Sequence, residues 1–285
     1  MKLAVVARRR SATNEALAAA ARSCGIEAEV LEPQRALAAL RPGDVALARL
    51  DVREELDGIE SGTRELERLA AEGVDVLNPP RALVAAHDKL LTARILRLAG
   101  LPHPQTTLLA PTVPAATLQL PAVLKPRFGS WGRDVELCAS TDEFEAALHR
   151  AQSARGFRDH GVIAQELIEP RGWDLRVVVA GGRVVGSARR VALPGEWRTN
   201  AALGASVEPA EAPLLARTLA LAAVQAVGAD LAGVDLLPTR NGFVVLEVNG
   251  AVDYRPLYAR AGDVYADTIA AMLGAVARRP ALAAV

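Results

Sequence analysis

The spacing of apolar and polar positions along this chain changes period repeatedly, and the changes give the order of its elements. Residues 3–7, 27–31, 44–50 and 74–77 are short apolar-rich runs of strand length. Between them, residues 14–24 form an Ala-rich helical stretch capped near Thr13, and residues 62–72 a second one stopped by Gly73. Strand and helix in alternation are the signature of a parallel sheet. Residues 81–99 read as one longer helix closed by Gly100. Leu101-Pro102-His103-Pro104 and the proline-bearing stretch 111–121 then break the chain and mark a lobe boundary.

Beyond that boundary the pattern favours strands. Short strands over 122–125 and 135–138 flank Phe128-Gly129-Ser130-Trp131-Gly132. A helix over 141–153 opens on a Thr141 N-cap with Asp142 and Glu143 in its first turn. Strands follow at 162–168 and 174–180, and Gly181-Gly182 turns the latter into a partner at 183–188. A helix over 212–227, strands over 232–237 and 243–249 around Asn241-Gly242, and a last helix over 264–277 complete the order. No internal repeat is visible.

Composition narrows the class. A chain of 285 residues suits one large unit of two or three lobes. It is 51% hydrophobic but only 4% aromatic, so aliphatic and Ala-rich helices do most of the packing. The 33 cationic side chains balance 33 anionic ones, which argues against a broad nucleic-acid footprint. Cys24 and Cys138 lie far apart, so neither a disulfide framework nor a structural zinc is expected, and a reducing cytoplasm fits. The apolar run before Arg8-Arg9-Arg10 is too short for a signal peptide or a membrane span. No GxGxxG follows the first strand. Of the 33 Lys and Arg residues only three are Lys: Lys2, Lys89 and Lys125. Lys is a compact point charge where Arg is a planar fork, so a chain that uses Arg almost everywhere keeps Lys where a point charge meets a phosphate. A genomic bias toward Arg would leave the same count.

Four segments carry candidate chemistry. Glu247 and Asn249 share one face of a strand. If Arg240-Asn241-Gly242 is a three-residue turn, Asp235 lies opposite Glu247, while Val234, Leu236, Leu246 and Val248 face the core. Such oxygen donors suit Mg²⁺ held with phosphates, although a solvated polar strand face has the same pattern. The Gly129–Gly132 loop could cover phosphates with its backbone N–H groups but is no Walker A loop, and Trp131 in it could equally be a hydrophobic plug. Gln165-Glu166-Leu167-Ile168 ends a strand and offers free backbone to an adenine edge, with Asp174 near a ribose. Arg189, Arg190, Arg198 and Asn200 are either a site for phosphoryl or oxyanion charge or a solvated run.

Their order is more specific than any one of them. Asp88-Lys89, Lys125-Pro126-x-x-Gly129-Ser130-x-Gly132, Gln165-Glu166-x-Ile168, Asp174-x-Arg176, Arg198-x-Asn200, Gly233-Val234-Asp235 and Glu247-Val248-Asn249 follow in succession. Together they resemble the ATP-grasp fold, and most closely the RimK-type glutamate ligases and their LysX-type relatives that act on an amino-group carrier protein. The resemblance runs from Leu3 to the final helix. It implies an α/β fold, α+β in its ATP-grasp part. A Rossmann-like pre-ATP-grasp lobe over 1–85 would precede a two-lobed ATP-grasp domain, with the lid subdomain over 86–168 and the metal-binding strands within 169–285.

The resemblance also implies roles. Lys89 and Lys125 contact ATP phosphates, and Gly129, Ser130 and Gly132 close over them. Glu166, Leu167 and Ile168 receive the adenine, Asp174 lies near the ribose, and Arg198 and Asn200 stand on the nucleotide and metal side. Asp235, Glu247 and Asn249 bind Mg²⁺ or, alternatively, Mn²⁺. Arg176 and Arg190 stabilise a substrate carboxylate or acyl phosphate. The implied activity is ATP-dependent carboxylate–amine ligation, adding glutamate or a similar amino acid to a protein or small-molecule acceptor, in a cytoplasmic enzyme without membrane or nucleic-acid partners whose relatives are often homo-oligomers. Two other readings stay open: a ligase joining two small molecules, and a non-catalytic nucleotide-binding module. The chain departs from both subgroups. Gly250-Ala251-Val252-Asp253-Tyr254-Arg255 stands where RimK-type ligases carry a Pro-Gly turn, and Asn200-Ala201-Ala202-Leu203-Gly204-Ala205 replaces the Asn-Thr-Ala-Arg-Gly-Gly of the LysX type.

Overall fold

Strand β1 (Lys2–Val6) is buried on both faces, and its alternate side chains go to two different cores. Leu3 and Val5 pack with helix α1 (Ala12–Ser23), whereas Ala4 and Val6 pack with α2 (Pro33–Ala39) and α3 (Thr63–Ala71). With β2 (Glu27–Leu31), β3 (Val45–Ala48) and β4 (Asp75–Leu77) it forms an all-parallel sheet in the order β2-β1-β3-β4. Helices on both faces explain why these strands read as continuous apolar runs. The computed structural model of the chain describes residues 1–109, 119–259 and 261–279. Most of the proline-bearing break expected at 111–121 therefore lies outside the described residues.

Helices α4 (Pro80–His87) and α5 (Lys89–Leu98) replace the single helix expected over 81–99. The break falls at Asp88, whose carboxylate accepts from the N–H groups of Leu90 (3.1 Å) and Leu91 (3.2 Å) and so caps α5. Two other caps also differ from expectation. Ser11, not Thr13, caps α1, because the Thr13 hydroxyl is used by the backbone of Tyr254 at 3.2 Å on both its O and N atoms. Ser140, not Thr141, caps α6 (Thr141–Gln152) through Glu143 N.

A second sheet, β5 (Thr106–Leu109), β6 (Ala122–Pro126), β7 (Glu136–Cys138) and β8 (Val162–Glu166), is antiparallel in the order β5-β8-β6-β7 and packs on α6 and α7 (Arg155–His160). The third is a five-stranded antiparallel sheet, β11-β10-β9-β12-β13, built from β9 (Trp173–Ala180), β10 (Arg183–Val191), β11 (Ser206–Pro209), β12 (Leu231–Thr239) and β13 (Gly242–Asn249). Helix α8 (Leu214–Val227) covers one face of it, on Val177, Val179, Val234, Leu236, Val245 and Val248. The other face packs at one end on α9 (Val264–Arg278), through Val178, Ala180 and Ala188, in a core continuous with the first sheet. Elements α2, β5, α7 and β11 are too short to show a period in sequence. Among the described residues, no helix is long and apolar enough to cross a membrane.

The last hairpin pairs Asp235 with Glu247, as expected, but by another route. Thr239 faces Gly242 across a two-residue turn, and a bulge after Asp235 restores the register. The bulge carries a correction: Val245, not Leu246, faces the core, and Leu246 turns to the side of Glu247.

Asn78 ties the first sheet to the third. It has φ +58°, a conformation Asn tolerates better than most residues. Its Nδ2 donates to Leu231 O (2.7 Å) and Gly250 O (2.9 Å), and its Oδ1 accepts from Asp230 N (2.8 Å) and Leu231 N (2.9 Å). Asn78→Ala strands these buried backbone groups, each costing about 1–3 kcal/mol, so urea unfolding should show a loss of at least about 3 kcal/mol. Asn78→Gly relieves the backbone but not the lost bonds, and should fall within about 1 kcal/mol of the alanine variant. A glycine variant of near wild-type stability would show that the side-chain bonds contribute little.

Candidate active site

Strand register places five charges side by side on the uncovered end of the third sheet. Arg190 on β10 faces Asp174 on β9, and Arg176 on β9 faces Asp235 on β12, which faces Glu247 on β13. Arg190 Nε donates to Asp174 Oδ1 (2.7 Å), its Nη2 to Asp174 Oδ2 and to Asp235 Oδ2 (2.8 Å). Arg176 binds Asp235 with two parallel bonds of 2.7 and 2.8 Å. Thr199 Oγ1 closes the set on Asp174 at 2.6 Å. Asp174 is wholly buried and Asp235 nearly so, and both are neutralised in place. Burial pushes the Asp235 carboxyl up, but Arg176 and Arg190 outweigh it and hold it at about 2.

Glu247 pairs instead with Lys89, whose Nζ lies 3.0 Å from Oε2 and donates to Gly129 O at 2.7 Å. Burial works against this carboxylate too, and Lys89 brings it below the usual range. Lys89 is the first residue of α5, and Asp88 places it there. Asp88 also takes a bidentate pair from Arg127 (2.8 and 2.6 Å), while Lys89 N donates to Arg127 O. One carboxylate thus fixes the start of α5 against the end of β6, where Lys125 stands. Lys125 is 6% exposed and donates to Gln165 Oε1 at 2.7 Å.

A cavity of about 110 Å³ joins these groups. Its wall contains Lys89, Lys125, Gly129, Ser130, Gly132, Glu166, Leu167, Ile168, Asp174, Arg190, Arg198, Asn200, Asp235 and Glu247. β8 stops at Glu166, so Leu167 and Ile168 run along the wall with no backbone–backbone hydrogen bond to any described residue. The glycine loop closes the other side: Arg198 donates to Gly132 O at 3.2 Å. Gly132 has φ +72°, and a Cβ there would meet Asn200 Oδ1 at 2.7 Å, so only glycine fits. Trp131, itself at φ +60°, sits between the guanidinium groups of Arg9 (5.4 Å) and Arg133 (4.8 Å) rather than plugging a core.

A second cavity of about 330 Å³ holds the two remaining expected residues, Arg176 and Asn249, and shares Ser130, Trp131, Arg190, Asn200 and Glu247 with the first. Asp51, His87, Asp253, Tyr254 and Arg255 also line it. Sequence reading gave none of these a role, because Asp51 and His87 belong to lobe segments read as framework. Asp88 was legible in part, as an Asp beside Lys in a helical run is an N-cap signal. Among the described residues no three His, Cys, Asp or Glu side chains converge as a metal-binding group. The expected set is two carboxylates and an amide, and the buried Asn249 Nδ2 has no partner.

Residues 86–272 match the RimK-like ATP-grasp domain. The chain is 34% identical over 195 residues to a probable alpha-L-glutamate ligase of Pasteurella multocida, a match covering 67% of this chain and 61% of that protein. Against a probable alpha-L-glutamate ligase of Alkalilimnicola ehrlichii it is 29% identical over 278 residues, 92% of this chain and 91% of the relative. The crystal structure of a RimK domain ATP-grasp protein from Sphaerobacter thermophilus superposes with a TM-score of 0.70 at 25% identity, over 96% of this chain and 100% of the other.

Lys125 yields a pH prediction. Burial, with a smaller contribution from Lys89, lowers it from 10.5 to about 8. The unfolded chain therefore binds more protons than the folded one between these values, and stability rises with pH there. Below pH 8 the full penalty stands, about 3 kcal/mol for such a shift. Lys125→Met should be more stable than wild type near pH 7 in urea unfolding, with the gap closing by pH 10. A gap that stays constant from pH 7 to 10 would refute the buried charge.

Proposed function

The chain belongs to the RimK-like ATP-grasp family, and on that premise we propose that it is an ATP-dependent carboxylate–amine ligase that makes an amide through an acyl phosphate, with glutamate or a similar amino acid as the amine. The observation that carries this reading is the convergence of Lys89, Lys125, Asp235 and Glu247 on one cavity beneath a glycine loop. The relatives named as probable alpha-L-glutamate ligases support the choice of amino acid.

The nucleotide takes the first cavity. Its adenine lies against the open backbone of Leu167 and Ile168, and its phosphates lie between the lysines and the N–H groups of the loop. At about 110 Å³ this cavity is smaller than the roughly 300 Å³ at which small-molecule pockets begin, so the loop must part from Arg198 to admit ATP. Lys89 waits on Glu247, and a phosphate draws it off and frees the carboxylate. Asp235, Glu247 and Asn249 are hard oxygen donors in neighbouring register positions and suit Mg²⁺ or Mn²⁺. When bound, that ion neutralises phosphate charge.

A substrate carboxylate oxygen then bonds to the γ-phosphorus as the bond to the ADP oxygen breaks, and ADP leaves with the electron pair. The amine nitrogen bonds to the acyl carbon, the C–O bond to phosphate breaks, and the nitrogen loses a proton. Arg190, on the wall of both cavities, and Arg176 face the place where this charge develops. The closed loop keeps out the water that would hydrolyse the acyl phosphate.

ADP release with MgATP, screened over amino acids and acceptors, tests the reading. Tight MgATP binding with no amino-acid-stimulated turnover for any acceptor would mark a nucleotide-binding module instead. Lys125→Met should weaken ATP binding by about 10- to 100-fold in calorimetry with the fold intact. Glu247→Gln should lower metal-dependent ADP release on the order of 100-fold or more. Normal metal dependence in that variant would remove Glu247 from the site.

A further inference from the structure

Thr106 does not line the first cavity, yet it is tied to a cation that does. In the second sheet Thr106 of β5 stands directly opposite Gln165 of β8, and Lys125 of β6 stands opposite Ile163, two residues before Gln165. Alternation along the strands therefore puts Thr106, Gln165 and Lys125 on one face of the sheet. It is the face turned away from the core that Leu124 and Ala164 form with α6. Lys125 and Gln165 are diagonal neighbours on it, which a long side chain can bridge.

The three side chains form a run of hydrogen bonds with a fixed direction. Lys125 Nζ donates to Gln165 Oε1 at 2.7 Å, Gln165 Nε2 donates to Thr106 Oγ1 at 2.9 Å, and Thr106 Oγ1 donates to Pro104 O at 3.0 Å. The last link sets the direction of the others. A carbonyl oxygen only accepts, so the single hydroxyl proton of Thr106 goes to Pro104. Toward Gln165 the hydroxyl can then only accept, which turns the amide NH2 group to Thr106 and the amide oxygen to Lys125. Without that hydroxyl nothing on the β5 side tells the two ends of the amide apart, and the wrong end would meet the ammonium with N–H groups.

The far end of the run is well anchored. The rings of Pro102 and Pro104 fix their φ angles. Pro102 O accepts from Val245 N at 2.8 Å, on the strand that carries Glu247. Gln105 brackets the residue after Gln165, since its N donates to Glu166 Oε2 at 3.0 Å and its O accepts from Glu166 N at 2.9 Å. At the near end, Gln165 and Lys125 both line the first cavity. An ammonium has three N–H donors, and the amide oxygen takes one of them. Being neutral, the amide steers the lysine without acting as a rival counter-charge to an anion.

We propose that Thr106 is a positioning residue for phosphate binding: it fixes the Gln165 amide so that its oxygen holds Lys125 on the cavity wall with its other N–H donors free for the nucleotide. The proposal rests on the nucleotide assignment made above for the first cavity.

A double-mutant cycle on ADP affinity tests it without turnover. Thr106→Val keeps the side-chain shape and suits a strand, but lacks the hydroxyl. ADP with Mg²⁺ is titrated by calorimetry into the wild-type full chain, Thr106→Val, Thr106→Ser, Lys125→Met, and the double variant of Thr106→Val with Lys125→Met. Thr106→Val should weaken ADP binding about 3- to 10-fold, the worth of one hydrogen bond, and Thr106→Ser should restore it. In the Lys125→Met background Thr106→Val should change the affinity by less than about 2-fold, because the group it positions is gone. Thr106→Ala takes the place of the valine variant, with the same expectations, if that variant does not fold. An undiminished effect of Thr106→Val in the Lys125→Met background marks a merely structural role and overturns the proposal, as does a serine variant no better than valine. If Lys125→Met weakens ADP binding and Thr106→Val does not, the positioning role falls and the nucleotide assignment stands. If wild type binds no ADP, the nucleotide assignment itself falls and takes the positioning role with it.

Discussion

The buried lattice of Asp174, Arg190, Asp235 and Arg176 is the interaction on which the rest of the site depends. Four charges taken out of water are costly, and a buried ion pair repays that cost only with close geometry and complete hydrogen bonding. Here the register of three adjacent strands supplies both, since each Arg stands directly opposite its Asp. Losing any one member would leave an uncompensated buried charge, so the four hold as a unit. The lattice also takes two bonds on Asp235 Oδ2 and one on Oδ1, so this carboxylate has only a lone pair of Oδ1 left for a cation. Glu247, one strand further out, is left with a lysine alone. The charges therefore grade from fixed to exchangeable across the sheet, and the exchangeable pair is the one that faces the proposed phosphates.

The second sheet reaches this site through Asp88. One carboxylate ends α4, caps α5 and clamps Arg127, and so sets Lys89 and Lys125 relative to each other although they belong to different elements. The pairing of Asp88 with Phe128 extends the same join to the root of the glycine loop. The loop is anchored at its root, where Lys89 also donates to Gly129 O, and is held toward its tip by Arg198 and by the cation contacts of Trp131.

Much of this was legible in sequence, for local reasons. Period-two and helical runs located the long strands and helices, and the residues singled out by the order of short polar motifs line one cavity or the one beside it. What was not legible depended on distant partners. Nothing local shows that Thr13 is committed to Tyr254 and so cannot cap α1, or that α4 and α5 part at Asp88 because Arg127 is waiting for its carboxylate. The Asp235–Glu247 pairing was expected from a three-residue turn and arises from a shorter turn plus a bulge. The two changes cancel for the pairing itself but not for Leu246, which lands on the other face. The second cavity has no single local signature, since its wall is drawn from the first lobe, the glycine loop, β9, β10 and the end of β13.

The scarcity of lysine also has a physical account. Arg cannot shed its proton in a protein, so a buried Arg needs a carboxylate beside it at all times, as Arg176 and Arg190 have. Among the described residues Lys125 has only the neutral Gln165 for a hydrogen-bond partner, and it tolerates that place because burial lowers it to about 8. Near neutral pH it is still charged, at the cost of its burial, and an arriving anion would offset that cost. A guanidinium in the same place would demand a permanent counter-charge, and that carboxylate would repel the phosphate proposed for this site. Lys125 alone stands in this position, since Lys89 rests on Glu247 and Lys2 on Glu27 and Glu29.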